Sequence, residues 1–323
     1  MKTQIFTTQQ TDIKNWLPRR KNGRDTNKYK FGHVIVFAGS RGFTGAAILV
    51  AEAAQRAGAG LVTIAIPEDL ENSIVSRLCP VVMTCGLSGS LNSFFNTHSV
   101  EAALALTENA TVAALGPGIG LGYDVSQFVL QFTERCLLPL VIDADALTVL
   151  ASMNDHGQSL IRNRKSATIL TPHPTELARL LGTTTESIQN DRMSAIKQAV
   201  NYFNCVILLK GFHTLISDPS DQIYLNTTGN PGLSTAGSGD VLTGVIAGFL
   251  AQNLTATQSA TAGAFVHGFA ADLTATENGG TTGIIATDII SHLPNAISIC
   301  QQTINISQED LCKHKQMKAV HQQ

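Results

Sequence analysis

The sequence predicts an α/β fold built on a buried, mostly parallel sheet. Charged residues make up only 14% of the 323 residues, and Ala, Gly and aliphatic side chains dominate, a composition typical of α/β enzymes. Short apolar runs of the buried-strand type alternate with segments of helical spacing along most of the chain. A strand over 33–38, a glycine-rich loop, an Ala-rich helix over 46–57 and a strand over 61–66 follow in the order of a βαβ unit.

The overall charge and the cysteines exclude several classes of protein. A formal net charge of −2 gives no global attraction for nucleic acid or for an anionic membrane. The polar N-terminus lacks the apolar segment of a secretory signal, and no run of about 18 apolar residues is present to span a bilayer. The six cysteines stand far apart without a CxxC pair, as reduced thiols do. We therefore expect a cytoplasmic protein without nucleic-acid or membrane partners.

The chain is expected to form one domain with two polar ends. Residues 1–30 finish in a basic cluster and are expected to form a lead-in helix and a surface arm. Residues 31–300 carry the domain, although 68–110 show no regular pattern. The polar tail over 301–323 is expected to fray.

Two glycine-rich loops follow predicted strands in the first half of the chain. The loop over 39–45 lacks the GxGxxG spacing, and no acidic residue stands at the ribose position about 20 residues further on, which excludes dinucleotide binding of the Rossmann type. The loop over 116–120 has three glycines in five residues, which indicates close approach by a ligand or by another chain segment. In an open parallel sheet, ligands lie at this carboxyl edge of the strands.

Two carboxylates, Asp143 and Asp145, follow a predicted strand over 139–142. Such a pair suits Mg²⁺ or its water shell. Alternatively, Asp145 caps the next helix and Asp143 bonds loop amides. We favour capping for Asp145 and leave both roles open for Asp143.

His173 stands between two prolines after a predicted strand over 167–170. Pro174 suits the first position of a helix and Glu176 suits its first turn, so both have structural reasons to be there. His173 has no such reason, and the flanking prolines fix its orientation. We therefore expect His173 to contact a ligand.

Lys210 ends a buried strand over 205–209 and precedes a predicted hairpin over 213–217 and 222–225. An ammonium group is costly to bury without an anion. The position of Lys210 therefore predicts a phosphate partner.

A polar, glycine-rich loop ends at Gly237-Ser238-Gly239-Asp240 and opens into a helix. Unpaired N–H groups at the positive end of a helix suit a phosphate. A carboxylate is a poor phosphate ligand, so Asp240 suggests a base that takes a proton beside that phosphate. The alternative is that Asp240 only stabilises the first helical turn.

The remaining helical patterns cover 186–203, 256–276 and 287–299. His267 and Glu277 lie within or beside them, and we interpret both as surface residues or as internally satisfied ones.

Six short motifs occur in order over roughly residues 28 to 295. They are Gly39-Ser40 with Gly45-Ala46-Ala47, GPGIG at 116–120, DADAL at 143–147, TPHPTE at 171–176, KGFHT at 210–214 and GSGD at 237–240. This series resembles the ADP-dependent NAD(P)H-hydrate dehydratases of the ribokinase-like superfamily. The resemblance implies a mostly parallel sheet with helices on both faces. The family often has Thr at the position of Ser238, which keeps the hydroxyl.

The resemblance also implies ligands and site residues. Such enzymes restore NADH and NADPH from their S-6-hydroxy forms (NADHX and NADPHX), with ADP as phosphoryl donor, Mg²⁺ beside the nucleotide and a homo-oligomer such as a tetramer. The implied hydrated-cofactor site is Ala46 or Ala47, Gly120, His173 and Asp240. The implied nucleotide site is Lys210, Gly211, Phe212, His213, Thr214 and Gly239. The ligands of the metal are not implied.

Asp240 is the expected catalytic base, which takes the hydroxyl proton while that oxygen attacks ADP. Many relatives carry a preceding epimerase domain, and the roughly 30 residues before the first strand are too few for one, so dehydration alone is expected. One alternative is a kinase of the same superfamily that phosphorylates a hydroxymethylpyrimidine or hydroxyethylthiazole alcohol. The other is a nucleotide-binding protein without catalysis.

Overall fold

The computed structural model describes residues 4–19, 26–88 and 92–302, which are organised around one sheet of ten strands. In chain order, the strands are β1 (Gln4–Thr7), β2 (His33–Phe37), β3 (Leu61–Pro67), β4 (Met83–Leu87), β5 (Val112–Leu115), β6 (Leu140–Ile142), β7 (Thr168–Leu170), β8 (Val206–Leu209), β9 (Leu215–Ser217) and β10 (Gln222–Leu225).

The sheet is mostly parallel, as predicted. Its strand order is β1-β10-β9-β8-β7-β6-β5-β2-β3-β4, and only β9 runs antiparallel to its neighbours β8 and β10. β9 and β10 form the predicted hairpin. Strands β5 to β8 are buried along their whole length, which explains why they form continuous apolar runs rather than alternating patterns.

Helices cover both faces of this sheet. They are α1 (Gln10–Trp16), α2 (Thr44–Arg56), α3 (Glu71–Val75), α4 (Val100–Thr107), α5 (Tyr123–Arg135), α6 (Asp145–Ser152), α7 (Asp155–Arg162), α8 (Pro174–Leu180), α9 (Thr185–Asn190), α10 (Arg192–Phe203), α11 (Ser238–Ala251), α12 (Ala256–Asn278) and α13 (Ala286–Gln301).

Two core clusters lie on opposite faces because successive strand residues alternate. In β2, Ile35 and Phe37 pack with side chains of α5, α6, α8 and α10. Val34 and Val36 pack with α2, α11 and α12 on the other face. Helices α1 and α13 form a further layer against α2, α11 and α12. None of the helices in the described part of the chain is both long enough and apolar enough to cross a membrane.

The N-terminal segment contains the predicted lead-in helix, α1, and also a strand that was not predicted. β1 pairs with β10 at the edge of the sheet, and α1 follows it. Ile13 and Leu17 are buried in the outer helical layer, so apolar packing holds the segment to the domain. Residues 20–25 of the basic cluster, and 303–323 of the predicted tail, lie outside the described residues.

Two other segments also differ from the sequence interpretation. The stretch 68–110 contains β4 and α4, and most of β4 is only partly buried, so it lacks the apolar run of a core strand. The predicted helix over 186–203 is two helices, α9 and α10. They meet at Asp191, whose side chain accepts a hydrogen bond from the Ser194 N–H and caps α10.

Candidate active site

A cavity of about 680 Å³ lies at the carboxyl ends of β6, β7 and β8. Loops after these strands form one wall, and the segment 226–235 with α11 and α12 forms the other. The lining includes Asp143, His173, Glu176, the loop 210–214, the segment 238–240 and His267. The carboxyl edge of a parallel sheet is where ligands bind in open α/β folds.

Lys210 is paired with carboxylates inside this cavity. Its Nζ lies 2.7 Å from Oδ1 of Asp143 and 3.8 Å from Oε2 of Glu176. The Asp143 side chain is only 2% exposed, and its Oδ2 accepts a hydrogen bond of 2.7 Å from the Thr243 hydroxyl. Burial by itself lowers the pKa of Lys210, but Asp143 and Glu176 outweigh burial and the pKa is raised. Asp143 therefore supplies the counter-charge of Lys210 in this structure, and the phosphate partner of Lys210 stays a prediction.

His173 has a structural role that the sequence analysis missed. Its Nδ1 accepts hydrogen bonds from the backbone N–H groups of Thr175 (3.1 Å) and Glu176 (3.2 Å), which caps α8. The Glu176 carboxylate accepts in return from the His173 N–H at 2.7 Å, so the two residues form a capping box. The expectation that His173 lacks a structural reason is wrong.

The His173 ring nevertheless lines the cavity, and its side chain is 46% exposed. Burial, together with the nearby charge of Lys210, lowers its pKa, so the ring is neutral at pH 7. Because Nδ1 accepts two hydrogen bonds, the single proton of the neutral ring is on Nε2. His173 therefore offers an N–H donor at Nε2, which lies 3.5 Å from Oε1 of Glu176.

Glu176 is a site residue that the sequence analysis assigned only to helix initiation. It is buried, lines the cavity and lies near Lys210. Burial raises its pKa to about 7, although Lys210 opposes the shift. The available signal was its place shortly after the predicted strand over 167–170, because ligands lie at the carboxyl ends of parallel strands.

Helix α11 begins at the cavity without a side-chain cap. Gly237 is its N-cap residue with φ of 84°, and it has no side chain to cap the first turn. A Cβ on Gly239 would lie 3.5 Å from Nζ of Lys210 and 3.9 Å from Oδ2 of Asp143, so the helix end approaches this ion pair closely. The first N–H groups of a helix have no intrahelical partners. The predicted anion site is thus supported by the backbone geometry.

Asp240 is partly buried in the first turn of α11 and lines the same cavity. Burial and the neighbouring Asp143 raise its pKa to about 7, against the opposing effect of Lys210. A carboxyl group with this pKa exchanges its proton at neutral pH, as a general base must.

The other predicted substrate-binding residues lie outside the wall of the cavity. Ala46, Ala47 and Gly120 do not line the cavity in the described part of the chain. Ala47 is buried in the core. A Cβ on Gly118 would lie 2.9 Å from Cβ of Ala46, so the loop over 116–120 packs closely against the start of α2.

Asp145 interacts both with the glycine-rich loop that contains Gly120 and with Asp240. Its Oδ2 accepts a hydrogen bond of 2.9 Å from the Gly120 N–H, and its charge contributes to the raised pKa of Asp240. The predicted capping role of Asp145 is wrong, because it bonds the glycine-rich loop rather than the N-terminus of α6, where no side-chain cap is present. Asp143 bonds the side chains of Lys210 and Thr243 rather than loop amides, and its predicted role beside Mg²⁺ stays a prediction.

The loop 210–214 presents two aromatic rings at the cavity. The rings of Phe212 and His213 are stacked with centroids 3.9 Å apart, and Phe212 is 85% exposed. Gly211 and His213 have φ of 135° and 55°. A positive φ is uncommon for a residue other than glycine.

His267 and Glu277 lie in different surroundings. His267 is buried on α12, lines the cavity and lies 3.3 Å from the Ser238 hydroxyl through Nε2. Burial lowers its pKa to about 4, so it is neutral and internally satisfied. Glu277 is a surface residue, as predicted, and pairs with His292.

A family model described as NAD(P)H-hydrate dehydratase matches residues 34–295. This chain belongs to that family. The bifunctional NAD(P)H-hydrate repair enzyme Nnr of Moorella thermoacetica is 38% identical over 293 residues, which are 89% of this chain and 53% of that protein. The ADP-dependent (S)-NAD(P)H-hydrate dehydratase of Neisseria meningitidis is 37% identical over 271 residues, 84% of this chain and 86% of that protein. The chain spans about half the length of the bifunctional relatives that it matches.

Solved structures agree with the predicted fold. The ADP/ATP-dependent NAD(P)H-hydrate dehydratase of Bacillus subtilis, co-crystallised with ATP/Mg²⁺, matches with a TM-score of 0.77 at 28% identity, over 93% of this chain and 99% of that one. A ribokinase-like superfamily protein of Enterococcus faecalis matches with a TM-score of 0.77 at 25% identity, over 92% and 97%. The ribokinase-like α/β fold and the family predicted from the six motifs are confirmed.

Proposed function

We propose that this protein dehydrates the S form of NADHX and NADPHX to NADH and NADPH with ADP as phosphoryl donor. One observation carries the proposal: Asp240, with its pKa raised to about 7, lies at an uncapped helix end inside a cavity of about 680 Å³. The family membership and the name of the Neisseria relative support the substrate and the use of ADP.

The proposed nucleotide site is the loop 210–214 together with Gly239. Both segments line the cavity, and the α11 N-terminus contributes the positive end of a helix dipole. Because Asp143 already neutralises much of the Lys210 charge, the helix end and the loop backbone supply most of the attraction for phosphate.

The proposed site for the hydrated cofactor is Ala46 or Ala47, Gly120, His173 and Asp240. His173 and Asp240 line the cavity, and Asp145 connects Gly120 to Asp240 electrostatically. In this arrangement the Nε2–H of His173 donates to the substrate while Asp240 faces its 6-hydroxyl group.

The proposed reaction proceeds by phosphorylation and elimination. Asp240 takes the proton of the 6-hydroxyl while that oxygen attacks the terminal phosphorus of ADP, and the bond from this phosphorus to AMP breaks. The ring nitrogen lone pair then expels inorganic phosphate, and the adjacent ring carbon loses a proton to restore the dihydropyridine. Backbone N–H groups at the α11 end stabilise the charge on the phosphoryl group in transit.

Mg²⁺ belongs to the proposal as a companion of the nucleotide. No group of three or more His, Cys, Asp or Glu side chains suited to a metal ion occurs within 4–19, 26–88 and 92–302. This fits Mg²⁺, which is commonly held by one or two carboxylates plus substrate phosphates. Besides the base Asp240, the cavity wall carries the carboxylates of Asp143 and Glu176, which would hold it beside the phosphates. When bound, Mg²⁺ would neutralise charge on those phosphates.

The domain limits 31–300, a cytoplasmic location and a homo-oligomer such as a tetramer are also part of the proposal. They are supported by the resemblance to the family rather than by a contact in the structure.

The experiment that tests the proposal is incubation of purified S-NADHX with the protein and ADP, ATP or neither. We expect recovery of the absorbance of the reduced nicotinamide together with release of inorganic phosphate, in the presence of nucleotide only. Absence of recovery with both nucleotides would contradict the proposal.

Two alternatives predict different products. A kinase of hydroxymethylpyrimidine or hydroxyethylthiazole type would accumulate a stable phosphate ester and release no phosphate. A nucleotide-binding protein without catalysis would bind ADP and form neither product. The family match favours the dehydratase over both. The near-neutral pKa of Asp240 favours a catalyst over a protein that only binds nucleotide.

A further inference from the structure

The loop 210–214 is held by an arginine that does not touch the cavity. All five loop residues are among the described residues that line the cavity, and Arg192 is not. Arg192 is the first residue of α10 and lies directly against the loop: a Cβ on Gly211 would be 3.2 Å from its Nη2.

The guanidinium of Arg192 bonds four backbone carbonyl groups. Nη2 donates to the carbonyls of Leu209 and Lys210, both at 3.2 Å. Nη1 donates to the carbonyls of Phe212 and His213, the latter at 3.2 Å. The remaining carbonyl, that of Gly211, accepts from the Thr214 hydroxyl at 3.1 Å. All five consecutive carbonyls from 209 to 213 are thus engaged within the protein.

This arrangement decides where the N–H groups of the loop point. In a planar trans peptide the N–H points opposite to the C=O of the preceding residue. With the carbonyls of Lys210, Phe212 and His213 turned towards Arg192, the N–H groups of residues 211, 213 and 214 point away from it. Residues 213 and 214 are consecutive, and successive N–H groups directed to one side form an anion-binding concavity.

The loop conformation needs such support. His213 has φ of 55° and Gly211 has φ of 135°, and a residue other than glycine in the left-handed region costs about 1 kcal/mol or more. Only a planar fork of several donors reaches four carbonyls from one side chain, and lysine cannot replace it, although lysine keeps the charge.

We propose that Arg192 is a positioning residue that turns the backbone N–H groups of loop 210–214 towards the phosphates of the nucleotide. This inference deepens the proposed function, because it rests on the nucleotide site proposed above. Arg192 acts through the loop and touches neither substrate.

Arg192→Lys tests the proposal, with Arg162→Lys as the matched control. Arg162 also bonds backbone carbonyls, those of Asn201 (2.6 Å) and Tyr202 (3.3 Å), at the other end of α10. Binding of ADP and of adenosine is measured by calorimetry. We expect Arg192→Lys to weaken the binding of ADP by about tenfold to a hundredfold. The affinity for adenosine should change by less than about threefold, because adenosine has no phosphate. Arg162→Lys should change neither.

The ratio of the two affinities separates positioning from a structural role. Equal weakening of ADP and adenosine by Arg192→Lys, or no weakening of either, would overturn the proposal, because a general loss of loop structure does not discriminate by phosphate. In steady-state kinetics we expect the KM for ADP to rise far more than kcat falls. A fall in kcat at unchanged KM would also overturn it.

A measurement on the unaltered protein makes the test independent of variant folding. Hydrogen exchange of the amides at 211, 213 and 214 should slow when ADP binds, and should be unchanged by adenosine. Unchanged exchange with ADP would overturn the proposal. If ADP binds with this protection but NADHX is not converted, the proposed reaction fails while the role of Arg192 stands.

Discussion

Two glycine-rich regions of this protein have the same sequence signal and different surroundings. Around Gly116 and Gly118 the glycines make room for the chain itself: a Cβ on Gly116 would be 2.0 Å from the Asp143 carbonyl oxygen. At Gly239 the nearest atoms are the charged groups of Lys210 and Asp143, at 3.5 and 3.9 Å. Close backbone approach alone therefore does not indicate a ligand. Charged groups beside the approach, together with an open cavity, do.

The largest expected effect is a loss of activity at the charged region beside Gly239, where Asp240 lies. Asp240→Asn should lower kcat for S-NADHX with ADP by about 10²–10⁴-fold, because general-base catalysis is commonly worth that much. Glu277→Gln is the control, since Glu277 is a surface carboxylate paired with His292. Full activity of the Asp240→Asn protein would remove Asp240 from the mechanism.

Lys210→Met should give the largest loss of stability. It leaves the carboxylate of Asp143, which is 2% exposed, without its ion-pair partner. Breaking one side of a buried pair typically costs about 3–5 kcal/mol. Urea unfolding of the variant measures this, and the double variant Lys210→Met with Asp143→Asn should recover much of the loss. If the single variant is as stable as the wild type, the ion pair between Lys210 and Asp143 contributes nothing to the stability of the fold.

Gly118→Ala and Gly239→Ala sharpen the comparison directly. Gly118 has φ of 61°, and its Cβ would meet Ala46 and Phe43 at 2.9 Å, so we expect a loss of about 1–3 kcal/mol in the free energy of unfolding. Gly239 lies in helix α11 without a positive φ, where alanine is favoured by up to about 1 kcal/mol.

The affinities of these two variants for ADP should rank in the opposite order to their stabilities. The new methyl group at position 239 would lie beside Lys210 at the proposed phosphate site, so Gly239→Ala should bind ADP more weakly than Gly118→Ala does. Calorimetry on both variants checks the order. The reverse order would mean that the helix end is not where the phosphates bind.

The smallest effect concerns pH. Burial raises the pKa of Asp240 to about 7 from its ordinary value of 3.8. Between these two values the native protein retains a proton that the unfolded chain has lost, so this group makes the protein less stable as pH rises, and its contribution is constant above about 7. The excess in Tm of Asp240→Asn over the wild type should therefore widen from pH 5 to 7 and then level off. An excess that does not vary over this range would contradict the raised pKa.

Much of the fold was predictable because it depends on local patterns. Buried strands such as β6 and β8 form short apolar runs, and their predicted ends lie within one residue of the observed ones. β4 was missed because an edge strand that is partly exposed lacks such a run. The N-terminal strand β1 was missed for a related reason: all four of its residues are exposed, so burial left no pattern in them.

The candidate site, like the fold, was predictable from the sequence only in part. The sequence by itself identified the family through six ordered motifs, and it placed Asp240 at the start of a helix beside an anion site. It did not predict that Lys210 pairs with Asp143, 67 residues earlier, or that Thr243 bonds the same carboxylate from 100 residues away. Only the tertiary structure decided these contacts and the near-neutral pKa values of Asp240 and Glu176. Burial and charge at such distances in the chain depend on which strand ends meet in space, and no local pattern encodes that meeting.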